Sequence, residues 1–402
     1  MRQIIVIGAG QAGASCVAKL RNDGCRDRIT LIGAEPVLPY QRPPLSKSYL
    51  MGEMALERLY LRPQAFYDDH DISLRMGVAV TGINARAQTV SLGEETLEYD
   101  ALVLSTGSVP RRLPAAVGGE LNGVFVVRDL ADVDAMAPRF QAGRRVLIVG
   151  GGYIGLEAAS VAAKLSLEVT LVEMSERILQ RVAAPQTSDY FRNLHRAHGV
   201  DIREGVGLDR LTGAGAVDGA LLSDGTRLDV DFVIAGVGIA PATALAEVAG
   251  LEIENGIKVD AYGHTSASGI WAAGDCTSFP YQDGRIRLES VPNAIEQAEI
   301  IAQNIMGADK VYTAKPWFWS DQYDVKLQIA GLNTGYTDVV SRIGQGQTAS
   351  FWYYRDATLL AVDAMNDPRA YMVGKRLIEA AKTADPAIVR DPAADLKQLL
   401  SA

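Results

Sequence analysis

The chain has 402 residues, of which 48% are hydrophobic and 22% charged. These proportions are typical of a folded globular protein of about two to three domains. The formal charge is −9, which argues against a nucleic-acid partner, because such partners select basic surfaces. The amino terminus runs directly into a strand pattern, and no stretch reaches the ~18 apolar residues of a membrane span. We therefore expect a cytoplasmic protein with no membrane partner.

The beginning of the chain carries the pattern of a dinucleotide-binding unit. In order it contains a β-branched strand, three spaced glycines, a helix, a second strand and an acid: Ile4–Ile7, Gly8, Gly10 and Gly13, Ala14–Leu20, Ile29–Ile32 and Glu35. The first glycine permits a tight turn, the second lets the backbone approach a pyrophosphate, and the third lets the helix pack on the strand. The helix N-terminus then offers free N–H groups to the phosphates.

The same unit recurs in the middle of the chain. Its strand, glycines, helix, second strand and acid are Arg145–Val149, Gly150, Gly152 and Gly155, a helix to about Leu165, Val169–Val172 and Glu173. A single GxGxxG is weak support for a nucleotide site, whereas two copies in full context are strong support. We therefore predict two bound dinucleotides, one in each copy.

Further strands and a composition change indicate the domain organisation. Apolar runs near residues 102–110 and 232–241 end in Gly and Pro, and they predict where the chain leaves the first domain and returns to it. Beyond Pro316 four strands with hairpin-like spacing and a helix are predicted, at 326–332, 336–343, 349–355, 359–364 and 371–382.

The fold class expected is α/β, with two Rossmann-like dinucleotide-binding domains and a C-terminal α+β domain that contains an antiparallel sheet and a helix. We predict a discontinuous first domain of residues 1–110 and 240–315 and a second domain of residues 111–239. The C-terminal domain, residues 316–402, is expected to be a dimerisation or interface-like domain.

Four blocks of sequence resemble a known family along the whole chain. They are Pro39–Lys47, Gly150–Glu157, Glu289–Ala294 with Gln297, and Pro316–Gln322. The chain resembles the pyridine-nucleotide-dependent FAD reductases of the glutathione reductase fold. More narrowly, it is similar to the NADH-dependent ferredoxin reductases that serve bacterial oxygenases, of the putidaredoxin reductase type.

The resemblance implies FAD at the first copy of the dinucleotide pattern. Residues expected to hold its pyrophosphate and adenosine ribose are Gly8, Gly10, Ala12, Gly13, Ala34 and Glu35. Contacts with the rest of FAD are expected from Arg42, Lys47, Val80, Thr106, Arg128, Asp275, the Val291 backbone and Trp319.

The second copy is expected to bind the nicotinamide cofactor. The residues implied are Gly150, Gly152, Tyr153, Ile154, Gly155, Glu157, Glu173 and Gly238. A carboxylate at Glu173 can accept hydrogen bonds from both ribose hydroxyls and repels a 2′-phosphate. Arg177 could meet such a phosphate, but Glu173 occupies the strand end itself, so we predict NADH rather than NADPH.

Lys47 and Glu157 are the predicted catalytic residues. Glu157 lies in the first turn of the second glycine-rich helix, where the helix dipole alone would favour an acid. The resemblance places it beside Lys47 at the junction of nicotinamide and flavin. There the pair would orient the carboxamide and stabilise negative charge on the reduced flavin.

The cysteines and the block after Pro316 bear on the electron acceptor. Cys16, Cys25 and Cys276 form no CxxC or CxxxxC pair and no metal-ligand spacing, so we expect neither a thiol relay nor a zinc site. On a strand, Trp317 and Trp319 share one face while Phe318 points to the other. The resemblance suggests that an acceptor docks near Trp319, with Lys310, Lys315 and Lys326 as candidate basic contacts.

The predicted acceptor is a [2Fe–2S] ferredoxin that serves a haem monooxygenase or a ring-hydroxylating dioxygenase. One alternative is an NADH oxidase or a rubredoxin reductase on the same scaffold. An alternative from another class is a flavoprotein of the apoptosis-inducing-factor type, in which NADH binding changes assembly.

Overall fold

A computed structural model of the protein describes residues 1–400. The strands are β1 Gln3–Ile7, β2 Arg28–Gly33, β3 Ile72–Met76, β4 Gly82–Asn84, β5 Thr89–Leu92, β6 Glu95–Glu98, β7 Ala101–Leu104, β8 Ser108–Pro110, β9 Val124–Phe125, β10 Arg145–Val149, β11 Glu168–Glu173, β12 Asp201–Glu204, β13 Leu208–Thr212, β14 Gly219–Leu222, β15 Arg227–Asp229, β16 Phe232–Ala235, β17 Ile239–Pro241, β18 Ile257–Lys258, β19 Ile270–Ala272, β20 Thr277–Tyr281, β21 Gly284–Ile286, β22 Trp317–Gln322, β23 Val325–Gly331, β24 Asp338–Ile343, β25 Ala349–Arg355 and β26 Thr358–Met365.

The α-helices are α1 Gln11–Asn22, α2 Gln64–Asp69, α3 Leu130–Met136, α4 Tyr153–Lys164, α5 Pro185–Ala197, α6 Ala244–Val248, α7 Val291–Ile305, α8 Pro368–Glu379 and α9 Pro386–Arg390. Within residues 1–400, none of the helices combines the length and the apolar character needed to cross a bilayer.

The chain divides into two compact units. Unit 1 contains Met1–Arg42, Ala55–Val109 and Ile239–Pro316. Unit 2 contains Pro43–Met54, Pro110–Gly238 and the chain from Trp317 onward.

Unit 1 is built on a parallel sheet with the strand order β19-β7-β1-β2-β3. Alternate residues of β1 point to opposite faces of the sheet. Ile4 and Val6 pack in a core with apolar residues of α1 and α7, whereas Ile5 and Ile7 pack in a second core with small antiparallel strands. Because both faces are covered, β1 is an uninterrupted apolar run, as parallel strands usually are.

Unit 2 contains a second parallel sheet, with the order β12-β11-β10-β16-β9, and a five-stranded antiparallel sheet with the order β22-β23-β26-β25-β24. Helix α8 covers the antiparallel sheet through Tyr371, Val373 and Leu377, which share a core with Trp352 and Val362. The predicted fold class is therefore confirmed, with two parallel sheets and a C-terminal antiparallel sheet with a helix.

Most predicted elements agree with the structure to within two residues. Two helices differ more: the first was predicted from Ala14 and begins at Gln11, and the C-terminal helix was predicted from Tyr371 and begins at Pro368. Pro368 occupies the first helical position, and the Asp367 side chain accepts a hydrogen bond from the Ala370 N–H. This is the usual chemistry of a helix start, and it outweighs the apolar periodicity that begins at Tyr371.

A buried acid joins the antiparallel sheet to α5 inside unit 2. Asp363 on β26 is 1% exposed, and its Oδ2 accepts hydrogen bonds from the Tyr353 hydroxyl and from Thr187 Oγ1, the latter at 2.7 Å. The Tyr353 hydroxyl in turn accepts from the Ala184 N–H at 3.0 Å. Burial raises the pKa of Asp363 to about 6, even though both hydrogen bonds favour the ionised form.

Replacing Asp363 with Asn should remove a pH dependence of stability. The folded pKa of about 6 lies above the ordinary value of about 3.9 in an unfolded chain. The carboxyl therefore contributes less to stability as pH rises from about 4 to about 6, by roughly 3 kcal/mol in all. The difference in thermal midpoint, wild type minus Asp363→Asn, should decrease between pH 4 and pH 6 and should stay constant above pH 6.

The exposed Asp338 on β24 provides the control, because Asp338→Asn removes a carboxyl group from the same sheet and leaves the buried hydrogen bonds of Asp363 in place. An Asp363→Asn difference that is equal at pH 4.5 and pH 7 would contradict the prediction.

Candidate functional site

The two glycine-rich turns have the same backbone geometry. Gly8 and Gly150 have φ angles of +106° and +110°, a region in which residues with a Cβ atom are strained. A Cβ at Gly8 would also collide with the carbonyl oxygen of Ser105, and a Cβ at Gly150 with that of Gly236. Only glycine fits the first position of either turn.

The second and third glycines differ from the first in what surrounds them. A Cβ at Gly13 or Gly155 would collide with the carbonyl oxygen of the first glycine in its own turn, so these residues set how closely the helix approaches the strand. By contrast, apart from the adjoining residues of the chain, no protein atom lies within 4 Å of the Cβ position of Gly10 or Gly152.

Gly10 and Gly152 are the N-caps of α1 and α4, and neither helix has a side-chain cap. Each helix start therefore combines open space with N–H groups that a phosphate can use. Both sites fit the pyrophosphate of a dinucleotide.

The acids that end the second strands have different partners. In unit 1, Glu35 accepts a hydrogen bond from the Tyr40 hydroxyl and forms an ion pair with Arg42, both at 2.5 Å. In unit 2, the two oxygens of Glu173 accept from the backbone N–H groups of Gly151 and Ser175, both at 2.8 Å. The contacts of Glu173 thus include no cation, whereas Glu35 is paired with Arg42.

The other predicted contacts of unit 1 lie on several elements. Thr106 Oγ1 donates to the Ala242 carbonyl at 2.7 Å, and Asp275 accepts from Ser108 Oγ at 3.1 Å. Val291 is the first residue of α7, whose N-cap is Ser290. Ala12 is buried in the core that contains Ile4 and Val6, whereas Val80 packs against the second core, which contains Ile5 and Ile7. Ala34 follows β2, next to Glu35.

Unit 2 brings Lys47 and Glu157 together. Glu157 lies on α4 and is 4% exposed. Its Oε2 accepts from Ser46 Oγ at 2.7 Å and lies 2.8 Å from Lys47 Nζ. Its Oε1 accepts from Ser320 Oγ on β22 at 2.7 Å. A buried carboxylate is thereby satisfied by one cation and two hydroxyl groups.

The remaining predicted residues of unit 2 surround the start of α4 or lie on separate segments. The Tyr153 ring contacts Phe318 with centroids 4.9 Å apart, and burial raises the pKa of its phenol. Ile154 is 44% exposed beside it. Gly238 has a φ angle of +100°, and the Arg128 N–H donates to Asp132 at the start of α3.

The prediction that Trp317 and Trp319 share one strand face is confirmed. Their ring centroids are 5.6 Å apart, while Phe318 contacts Tyr153 on the opposite face.

Three contributing hydroxyl groups had not been singled out from the sequence. Ser46 and Ser320 donate to Glu157, and Tyr40 donates to Glu35. For Ser320 the available sequence signal was the alternation of side chains along β22, which puts Ser320 on the same face as Phe318. Ser46 and Tyr40 lie inside a block that was recognised as a whole, and no spacing rule distinguished them.

Two of the three cysteines lie where redox chemistry is disfavoured. All three are free thiols, and burial raises the pKa of Cys16 to about 12 and also raises that of Cys276. Thiol redox chemistry proceeds through the thiolate, which burial disfavours.

The two glycine-rich helix starts, Gly8–Gly13 and Gly150–Gly155, are called the first and second dinucleotide cradles. Two such cradles in one chain, followed by an antiparallel sheet, are the framework of an oxidoreductase that uses two dinucleotides. Residues 2–298 match the model of the pyridine nucleotide-disulphide oxidoreductase family, and residues 317–400 match the reductase C-terminal family. The chain belongs to the pyridine nucleotide-disulphide oxidoreductase family, within its ferredoxin reductase branch. Membership implies FAD and a nicotinamide dinucleotide.

Individual relatives are similar over their full length. A ferredoxin–NAD(P)+ reductase from a Sphingomonas species is 42% identical over 99% of this chain and 97% of its own. Putidaredoxin reductase of Pseudomonas putida is 40% identical with the same coverage. The crystal structure of a covalent putidaredoxin reductase–putidaredoxin complex matches with a TM-score of 0.96 and 39% identity, covering 100% of this chain and 98% of that chain.

Replacing the open glycine of each cradle, Gly10 or Gly152, with alanine should weaken the binding of one nucleotide and not of the other. Both positions have ordinary φ angles, −84° at Gly10 and −81° at Gly152, so the added methyl group fits the fold but fills the space of a phosphate. Gly10→Ala should lower the FAD content of the purified protein. Gly152→Ala should keep FAD and raise the NADH dissociation constant about tenfold, or about 1.4 kcal/mol.

The control is Gly284→Ala, another open glycine with no left-handed backbone, which should change neither quantity. Absorbance spectra measure the FAD content, and titration with NADH measures the dissociation constant. Wild-type NADH affinity in Gly152→Ala would show that the second cradle is not the nicotinamide site.

Proposed function

We propose that the protein is an NADH-dependent, FAD-containing reductase that passes electrons to a [2Fe–2S] ferredoxin. The ferredoxin would serve a haem monooxygenase or a ring-hydroxylating dioxygenase. The observation that carries the proposal is the pair of equivalent dinucleotide cradles in a chain whose Cys16 and Cys276 thiols are buried. Relatives named as ferredoxin reductase components of the anthranilate and p-cumate dioxygenase systems support it.

FAD is assigned to the first cradle. Residues 1–110 and 240–315 form the proposed FAD domain, residues 111–239 the NADH domain and residues 316–402 the C-terminal interface-like domain. When bound, FAD accepts a hydride from NADH and releases the electrons one at a time. In unit 1, Gly10 leaves room for the pyrophosphate, Glu35 lies at the ribose position, and Asp275 and the start of α7 are proposed to hold the flavin end.

Lys47 and Glu157 are proposed as the catalytic pair. Lys47 Nζ has three N–H donors, of which one points to Glu157 and one to the Pro43 carbonyl at 3.3 Å. One donor therefore stays available for the nicotinamide carboxamide or for negative charge that develops during hydride transfer. The buried Glu157 keeps the ammonium group in one position, which is the kind of preorganisation that lowers a barrier.

NADH is proposed over NADPH because of the environment of Glu173. Its two backbone hydrogen bonds fix the carboxylate at the end of β11, and each oxygen keeps a lone pair for a ribose hydroxyl. The side chain of Arg177 donates to Ser188 and to the Gln180 carbonyl, so it is already engaged elsewhere. The use of NADH favours a cytoplasmic location.

The acceptor can be tested by stopped-flow absorbance. We expect the anaerobic yellow protein to lose its flavin absorbance on mixing with NADH, and to regain it while reducing an acidic [2Fe–2S] ferredoxin added second. Loss of absorbance that only oxygen or a quinone reverses would contradict the ferredoxin proposal and identify an NADH oxidase. No loss with NADH would contradict the reductase proposal as a whole.

Glu173→Gln should weaken the discrimination against NADPH. The substitution keeps the shape of the side chain and removes the charge that repels a 2′-phosphate. We expect the ratio of kcat/KM for NADH to that for NADPH to fall by at least about tenfold, because like-charge contacts cost several kcal/mol. Steady-state kinetics with both cofactors measure the ratio. The exposed neighbour Glu176 supplies the control, since Glu176→Gln should preserve the ratio, and an unchanged ratio in Glu173→Gln would refute the assignment.

A further inference from the structure

One face of β22 is joined to one face of α4 throughout its length. Phe318 contacts the ring of Tyr153, Ser320 donates to Glu157, and the turn that follows β22 is tied to the rest of the helix. In that turn, the Tyr323 N–H donates to Ser160 Oγ at 2.8 Å and Lys164 Nζ donates to the Tyr323 carbonyl at 3.1 Å. The helix partners are Tyr153, Glu157, Ser160 and Lys164, which share one side of an α-helix.

Beyond Ser320 the hydrogen bonds continue as a buried chain that leads away from Glu157. Gln322 Nε2 donates to Ser320 Oγ at 3.2 Å, and Gln322 Oε1 lies 2.8 Å from His195 Nε2. His195 Nδ1 lies 3.2 Å from the Tyr323 hydroxyl. Ser320, Gln322 and His195 are each 0% exposed, so water cannot replace these partners.

The direction of every bond in this chain follows from the contacts of Glu157. Its Oε2 faces the Lys47 ammonium group and accepts from Ser46, its Oε1 accepts from Ser320, and the single hydroxyl proton of Ser320 therefore points to Glu157. Ser320 can then only accept from Gln322, which must present its NH2 group. The Gln322 carbonyl oxygen therefore faces His195, and His195 must carry a proton on Nε2.

The far end of the chain agrees with this direction. Burial lowers the pKa of His195 to about 4, so the ring is neutral at pH 7 and a proton on Nε2 leaves Nδ1 as an acceptor. Burial also raises the pKa of the Tyr323 phenol, which keeps the hydroxyl protonated and able to donate. Tyr323, His195, Gln322 and Ser320 then all donate toward Glu157.

We propose that Gln322 and His195 are positioning residues for the Lys47–Glu157 pair: through Ser320 they hold one proton toward Glu157, and this fixes its carboxylate and the Lys47 ammonium group. The kinetic part of this inference rests on the proposed function. The hydrogen-bond direction does not, and it can be measured separately.

The direction is tested by ¹⁵N NMR of the FAD-bound protein with labelled histidine rings, in which His195→Gln assigns the His195 signals among the four histidines. We expect a neutral ring with its proton on Nε2. In Glu157→Gln the new amide can donate to Ser320 and reverse the chain, so the Nδ1-protonated form of His195 should appear three hydrogen bonds away. A proton on Nδ1 of His195 in wild type, or His195 signals that are the same in wild type and Glu157→Gln, would overturn the proposal.

The effect on chemistry is tested by the limiting rate of flavin reduction and the NADH dissociation constant, both from anaerobic stopped-flow. Gln322→Leu and Ser320→Ala should each lower the rate about tenfold, the size expected for a lost hydrogen bond to a charged group, with less than about a threefold change in the dissociation constant. Ser320→Thr keeps the hydroxyl and should restore most of the rate. Ser350 is equally buried in the same sheet but takes no part in these hydrogen bonds, so Ser350→Ala should have the wild-type rate of flavin reduction.

Wild-type rates in both Gln322→Leu and Ser320→Ala would refute the positioning role while leaving the proposed function intact. Failure of wild-type protein to react with NADH would instead refute the proposed function, and the NMR measurement would still decide the direction of the chain.

Discussion

The organisation of unit 2 depends on one buried carboxylate. An ionised group as buried as Glu157 is costly unless it is paired and hydrogen-bonded. Its donors come from two segments remote in sequence from each other, Ser46 with Lys47 before α4 and Ser320 on β22. This requirement explains why Pro43–Met54 belongs to unit 2 although both flanking segments belong to unit 1.

The two dinucleotide cradles show which features of such a site are fixed by the backbone and which are free to vary. In both copies the first and third glycines are required by carbonyl oxygens of the same fold, so these positions repeat. The terminal acids share a position but not an environment, because Arg42 pairs with Glu35 while backbone N–H groups hold Glu173. Two similar motifs can therefore have different electrostatics and bind different nucleotides.

Local patterns predicted the features that local physics controls. The apolar runs of β1 and β10, the glycine spacing and the alternation of Trp317, Phe318 and Trp319 each depend on neighbours in sequence, and the structure agrees with them. The partners of Glu157 and Asp363 depend on contacts between remote segments, and a hydroxyl group has no periodicity that reveals its partner. Lys47 and Glu157 were connected only through family resemblance, and the hydroxyl groups that complete the site emerged only from the structure.

Strand β22 connects the C-terminal sheet to the start of α4. Its Trp317 side chain lies beneath the Lys375 ammonium group, 4.8 Å from the ring centroid, while the opposite face is bonded to α4 through Ser320. The first turn of α4 begins at Tyr153, directly after Gly152, the open glycine of the proposed nicotinamide site. A shift of β22 along α4 would leave Glu157 short of a donor in a buried site, so the strand and the cradle are constrained to move together.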